Sequence, residues 1–263
     1  MRGATRVALV VALFSPVVHA QSWTFTCREL WSPGPRDLGA VPVNTRWLPF
    51  DEWDEGPVRL RHTEGGTIPA TLRWDDTYEM LRVRGWLPRD ASLTARSGRS
   101  PVGTFQTTAP DRVAPTGGAL RGLMVTETVG IPQLVLLFAE VVDTSPLAVI
   151  VAVETRSETI RSATTELERG GPAGPGRLVV GLAPNAGASV LPHVQPGDVL
   201  TTVMSSGICM APTHRRVPDL GDGARVTVSW MDLAGNSGAP QGPFQIPAGV
   251  PYDTWIDPAT ALP

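Results

Sequence analysis

The side chains of this chain that could do chemistry are few and scattered. Acidic residues cluster at Asp51-Glu52-Trp53-Asp54-Glu55 and at Asp75-Asp76. A glycosidase needs two carboxylates facing each other across a cleft. A hard cation takes loop carboxylates and carbonyls. These are the places where either chemistry would sit, but no EF-hand-like loop is present and acidic loops are usually solvated turns, so neither a catalytic residue nor a metal is expected. His62, His193 and His214 each stand alone, without an H-E-x-x-H spacing or a G-x-S-x-G elbow, which counts against zinc and serine-hydrolase chemistry. All 22 residues counted as Lys+Arg are arginine, so lysine Schiff-base, general-base and P-loop chemistry are absent. No cofactor is expected.

Tryptophan is the more informative residue. Six of the eight tryptophans lie between Trp23 and Trp86. An indole face covers much apolar area and carries one polar handle, which suits a glycan or peptide ligand. Filling the core or a domain junction is the competing use. Trp86 follows the charged phase of its strand, with Arg82 and Arg84, and should face outward. Trp53 sits in the acidic loop. Trp53 and Trp86 are therefore the candidate ligand-binding residues.

The elements that must position these residues are exported ones. Residues 1–20 combine a basic start (Arg2, Arg6), an apolar run from Val7 to Phe14, a break at Pro16 and the small-x-small ending Val18-His19-Ala20, the pattern of a cleaved signal peptide. The run is too short to span a bilayer. No later segment is long and apolar enough to cross, so the mature chain is expected to lack a membrane span and to be periplasmic, cell-surface associated or extracellular. Net charge is -3, and no basic stripe suited to a phosphate backbone is evident, which counts against nucleic acid. Cys27 and Cys209 are an even pair in an exported chain, so a disulfide between them is expected, with two buried thiols as the alternative.

Gly 27 and Pro 26 are spread along the chain, as many short strands joined by turns require. In 58–62, Val58, Leu60 and His62 alternate with Arg59 and Arg61. In 81–86, Leu81, Val83 and Gly85 alternate with Arg82, Arg84 and Trp86. Such alternation marks antiparallel strands with one wet face. Residues 109–118, with little to bury, read as a linker. Beyond it the strands are more apolar, and Val226, Val228 and Trp230 share one face of a further strand. Residues 157–171 are the one helical candidate, on the spacing of Ile160, Thr164 and Leu167; a wide hairpin is the rival. Residues 249–263 look like a tail that docks back through Tyr252, Trp255 and Ile256. The expected organisation is a signal peptide at 1–20, a β-sandwich at 21–108, a linker at 109–118, a second, longer sandwich at 119–248 and the tail.

Two places resemble the bacterial Ig-like domain family. The first is Gly39, Pro42, Asn44 and Thr45, followed by Gly103, Thr104, Phe105, Thr107 and Thr108. The second is Asp232, Ala234, Gly235 and Asn236. The resemblance covers most of 30–110 and the last quarter of the second segment. It implies all-β architecture, two tandem immunoglobulin-like antiparallel sandwiches, used as spacer, adhesion or recognition modules. Asp232 and Asn236 are placed to hydrogen-bond backbone in a tight turn that Gly235 allows. The chain departs from the family at Trp47 and Pro49, since proline cannot donate to a central ladder; that strand should be bent or at an edge. The expected role is a non-enzymatic structural, adhesion or recognition protein of the cell envelope, its partner an envelope protein or glycan. The alternative is a carbohydrate-binding module or small glycan hydrolase using exposed tryptophan and the acidic loop.

Overall fold

The computed structural model describes residues 36–50, 57–66, 68, 70–75, 78, 80–128, 131–164, 168–169, 198–204 and 220–261. The described residues form strands and turns, with no helix among them. The expected signal peptide, Cys27, Cys209, Trp53, His193 and His214 lie outside these residues.

Among the described residues, seven strands belong to the first part: β1 (Arg36–Pro42), β2 (Trp47–Leu48), β3 (Val58–His62), β4 (Thr71–Asp75), β5 (Met80–Arg84), β6 (Ser92–Ser97) and β7 (Ser100–Thr108). They form one sheet of order β1-β7-β6-β3 and another of order β2-β5-β4. β1 runs parallel to β7; the other pairings are antiparallel. Alternation decides which residues point inward. Val58 and Leu60 are buried while Arg59 and Arg61 are exposed, and Leu81 and Val83 are buried while Arg82 and Arg84 are exposed. Trp47 and Leu48 form a strand of only two residues at the edge of its sheet, as the following Pro49 requires.

The second part contains β8 (Thr116–Gly117), β9 (Leu120–Thr128), β10 (Ile131–Phe138), β11 (Val141–Val142), β12 (Leu147–Glu154), β13 (Thr159–Thr164), β14 (Glu168–Arg169), β15 (Val199–Met204), β16 (Ala224–Asp232), β17 (Gln241–Ile246) and β18 (Thr254–Ile256). Its two larger sheets have orders β14-β15-β10-β9-β18 and β13-β12-β16-β17, and β8 pairs with β11. Between them lie Leu134, Leu136 and Phe138 from one sheet and Val149, Val151, Val226, Val228 and Trp230 from the other. Phe138 meets Trp230 edge-on at 4.8 Å.

One expectation is corrected here. The helical candidate is a hairpin: β12 and β13 pair antiparallel from Val149–Thr164 to Glu154–Thr159, and the Thr155 N–H closes the turn on Glu158 O at 2.8 Å. Extended pairing beside the buried β12 wins over a weak helical spacing in a segment with β-branched Thr159, Ile160 and Thr164. Within 109–118, Asp111, Pro115 and Gly118 are buried. In the tail, Trp255 and Ile256 pack back onto the second part while Tyr252 is exposed.

The outer face of the β13-β12-β16-β17 sheet is also covered. Ala148 lies opposite Met231, and Ile150 opposite Ala163; all four pack with Leu233 into the buried cluster of Val41, Trp47 and Leu48. One apolar cluster thus belongs to both parts of the chain.

Candidate functional site

The densest polar arrangement lies where the two parts meet. Asn44, in the turn after β1, accepts the Asp111 N–H on Oδ1 at 2.9 Å and donates its amide to Asp111 O at 2.6 Å. After β16 the chain makes the tight turn anticipated from its residues. Asp232 Oδ1 accepts the Asn236 N–H at 2.8 Å, Asp232 Oδ2 accepts the Asn236 side-chain amide at 2.6 Å, and Gly235 has φ +86. The same Asn236 amide reaches Asp111 O at 3.4 Å. Ser145, after β11, donates its hydroxyl to Asp111 Oδ2 and its N–H to Asp143 Oδ1, the latter at 2.7 Å. Leu233 completes the joint: its carbonyl accepts the Arg46 and Trp47 N–H groups at 2.7 and 3.1 Å.

Carboxylate oxygens of Asp111, Asp143 and Asp232 lie within 4.8 Å of one another. A hard cation could use such a set, but its oxygens already accept the hydrogen bonds above, and those bonds account for the arrangement. Burial pushes the Asp232 carboxyl above its ordinary value, and Asp111 and Asp143 add to this by repulsion against the Asn236 hydrogen bonds. Burial likewise raises Asp143, with the Ser145 hydrogen bond opposing and Asp111 adding.

The sign of the pH effect follows. A raised carboxyl binds its proton more tightly folded than unfolded, so its favourable contribution is complete below the ordinary value of 3.8 and is lost as pH rises through the raised one. Asp143→Asn keeps an oxygen for Ser145 and removes the charge. The variant should melt about 2 °C higher than wild type at pH 7, with the gap closing as pH falls toward 4. Thermal melts across that range check this; a gap independent of pH would show that Asp143 does not titrate in the joint.

The sequence-derived candidates lie elsewhere. Trp86 is 62% exposed, two residues beyond Arg84 and next to Gly85, whose φ is +99. Nearby, Arg82 lies over the buried Trp47 ring, 5.7 Å from its centroid, and Trp47 meets Tyr78 edge-on at 4.8 Å. Arg73 stands directly opposite Arg82 across the β4–β5 ladder. His62 is half-buried at the end of β3, in the turn where Gly65 N–H bonds its carbonyl at 2.9 Å. Asp75 accepts the Tyr78 N–H at 3.2 Å. The structure does not bring His62 or Asp75 to the joint.

Sequence reasoning missed Asp111 and Asp143 altogether. Asp111 sits in a stretch that reads as linker, and only the pairing of two distant turns reveals its role. The one usable signal was Asn44, a motif residue with no local partner.

No protein-family model matches the chain, and no curated protein does. Among solved structures, the full ectodomain (Ig1–Ig3) of mouse nectin-like molecule 4 is matched over 81% of this chain, with 11% identity and a TM-score of 0.23. The match spans 66% of that ectodomain's length, just under two-thirds.

Proposed function

We propose that this chain is an exported, non-enzymatic protein of two tandem immunoglobulin-like sandwiches with a structural, adhesion or recognition role at the cell envelope. One observation carries the reading: the strand order. In the first part, strands one, seven, six and three share a sheet, and strands two, five and four share the other. That is the immunoglobulin division of seven strands, with the first strand moved beside the seventh. In the second part, β10 pairs with β15, and β12, β16 and β17 are neighbours, the same division with longer strands. The shared apolar cluster and the Asn44–Asp111–Asn236 bonds favour a stiff two-domain unit over beads on a loose tether.

The described carboxylate cluster supports no hydrolytic reading. The Asp111 and Asp232 carboxylates are buried and accept bonds from Val113 and Ser145 and from Asn236 respectively, whereas a glycosidase holds its pair on either side of an open cleft. Exposed Trp86 favours recognition over a purely passive spacer, since large exposed aromatics are often binding residues.

The test is a titration of the purified protein with envelope glycans and exopolysaccharides, followed by tryptophan fluorescence. A saturable shift is expected, abolished or weakened at least tenfold by Trp86→Ala, with Trp53→Ala examined beside it. Release of reducing sugar from any of these glycans would overturn the non-enzymatic reading. Silence with every glycan and with envelope protein extracts would overturn the recognition role and leave a spacer.

A further inference from the structure

The outer face of the β2-β5-β4 sheet carries an unusual arrangement for a chain of net charge -3. Arg73 and Arg82 stand directly opposite each other across the ladder, and Arg84 follows Arg82 on the same face, opposite Thr71. Like charges placed opposite each other on a sheet are destabilising. Among the described residues, no carboxylate pairs with any of the three. The other sheet offers a contrast. There Arg59 stands opposite Arg96, but Arg96 turns its guanidinium onto the carbonyl of Arg99 in its own hairpin. That arginine has a structural task. Arg73 and Arg84 have none among the described residues.

The face is also organised. The Arg82 guanidinium lies over the Trp47 ring, within cation–π range, and Tyr78 meets Trp47 edge-on. Alternate residues of a strand are about 6.8 Å apart, so Arg82 and Arg84 present two guanidinium forks in a row, with Arg73 beside the first. Trp86, 62% exposed, lies two residues past the end of β5, beyond Gly85 with its φ of +99. Guanidinium forks match carboxylates in a bidentate geometry, and an exposed indole gives a ring face to stack on.

We infer that this face binds an acidic polysaccharide, its uronate-type carboxylates on Arg73, Arg82 and Arg84 and a sugar ring on Trp86. The inference rests on the recognition reading above and names the ligand class for it. Charge complementarity selects an anion. The short row selects a single flexible strand over a duplex, whose binding draws on many more phosphate contacts than three arginines provide. An exported chain meets acidic glycans before it meets nucleic acid.

The experiment uses the full purified protein with three probes: a polyuronate, the neutral polymer dextran and a single-stranded oligonucleotide. Two double variants with equal charge change are compared, Arg73→Gln/Arg84→Gln on this face and Arg59→Gln/Arg61→Gln on the opposite sheet, with circular dichroism verifying their fold. The polyuronate should bind, more weakly as salt rises, and dextran should not. Arg73→Gln/Arg84→Gln should weaken binding at least tenfold, and Arg59→Gln/Arg61→Gln by less than about twofold. Equal weakening by both pairs would reduce the effect to net charge and overturn the site, as would tighter binding of the oligonucleotide. Dextran binding that needs Trp86 and not the arginines would overturn this inference while leaving the recognition reading intact. No binding by any probe would overturn the inference alone, because the wider glycan and protein panel tests the recognition reading separately.

Discussion

Replacing Leu233 by Asp should break the joint between the two parts of the chain and turn one unfolding transition into two. Leu233 is 0% exposed and belongs to the cluster built largely from the first part, including Trp47 and Leu48. Its own N–H and carbonyl are bonded to Pro146 O and to the Arg46 and Trp47 amides. A carboxylate there would be placed among Trp47, Leu48 and Met231, and an unpaired buried charge costs about 3–5 kcal/mol. The chain can avoid that cost by letting the two parts separate, since each keeps most of its own core. Scanning calorimetry should therefore show the wild-type transition resolve into two, the lower one shifted down. Limited proteolysis should cut within 109–118 faster than in wild type. A single transition at an unchanged midpoint would mean that the joint contributes little to stability.

Gly118→Ala should be nearly as damaging, for a different reason. Gly118 has φ +64, in the left-handed region, and a Cβ there would stand 2.1 Å from Trp230 Nε1. The indole N–H donates to Gly118 O at 2.9 Å, and the ring packs edge-on against Phe138 at the centre of the second core. Overpacking costs about 1–3 kcal/mol, and an orphaned buried donor about 1–3 more. A loss near 4 kcal/mol is expected in chemical denaturation, together with altered tryptophan fluorescence of the native state. Trp230→Phe in the same background tests the cause. If the clash dominates, the smaller ring should recover part of the loss; if the backbone conformation dominates, it should recover none.

Period-2 alternation carried much of the fold in the sequence. It set the facing of Val58 and Leu60 against Arg59 and Arg61, and of Leu81 and Val83 against Arg82 and Arg84, but it breaks at Gly85, which is exposed with φ +99. Proline after Trp47 announced a truncated edge strand. Local turn chemistry was equally readable at Asp232, Gly235 and Asn236, because those residues bond within five positions of one another. Register and the joint between the two parts were not legible, although the tail's return through Trp255 and Ile256 was. The arginines of β4 and β5 are interleaved with apolar residues and separated by a turn, so only the ladder shows Arg73 facing Arg82. Asp111 looks like linker because its partners Asn44, Ser145 and Asn236 lie 67, 34 and 125 residues away. Spacing alone left 157–171 between a helix and a hairpin, because a segment that is neither strongly apolar nor strongly alternating takes its conformation from its neighbour, here β12.

The pairing of β18 with β9 bears on how copies of the protein behave toward one another. Without Thr254–Ile256, the β9 stretch from Leu123 to Val125 would present unpaired N–H and C=O groups at a sheet border, a template onto which a strand of a second molecule can add. Trp255 deepens the cover, since its ring lies against Gly122, where a Cβ would come within 3.0 Å. β18 thus covers that border of the sheet, and its removal would open β9 to strand addition by a second molecule.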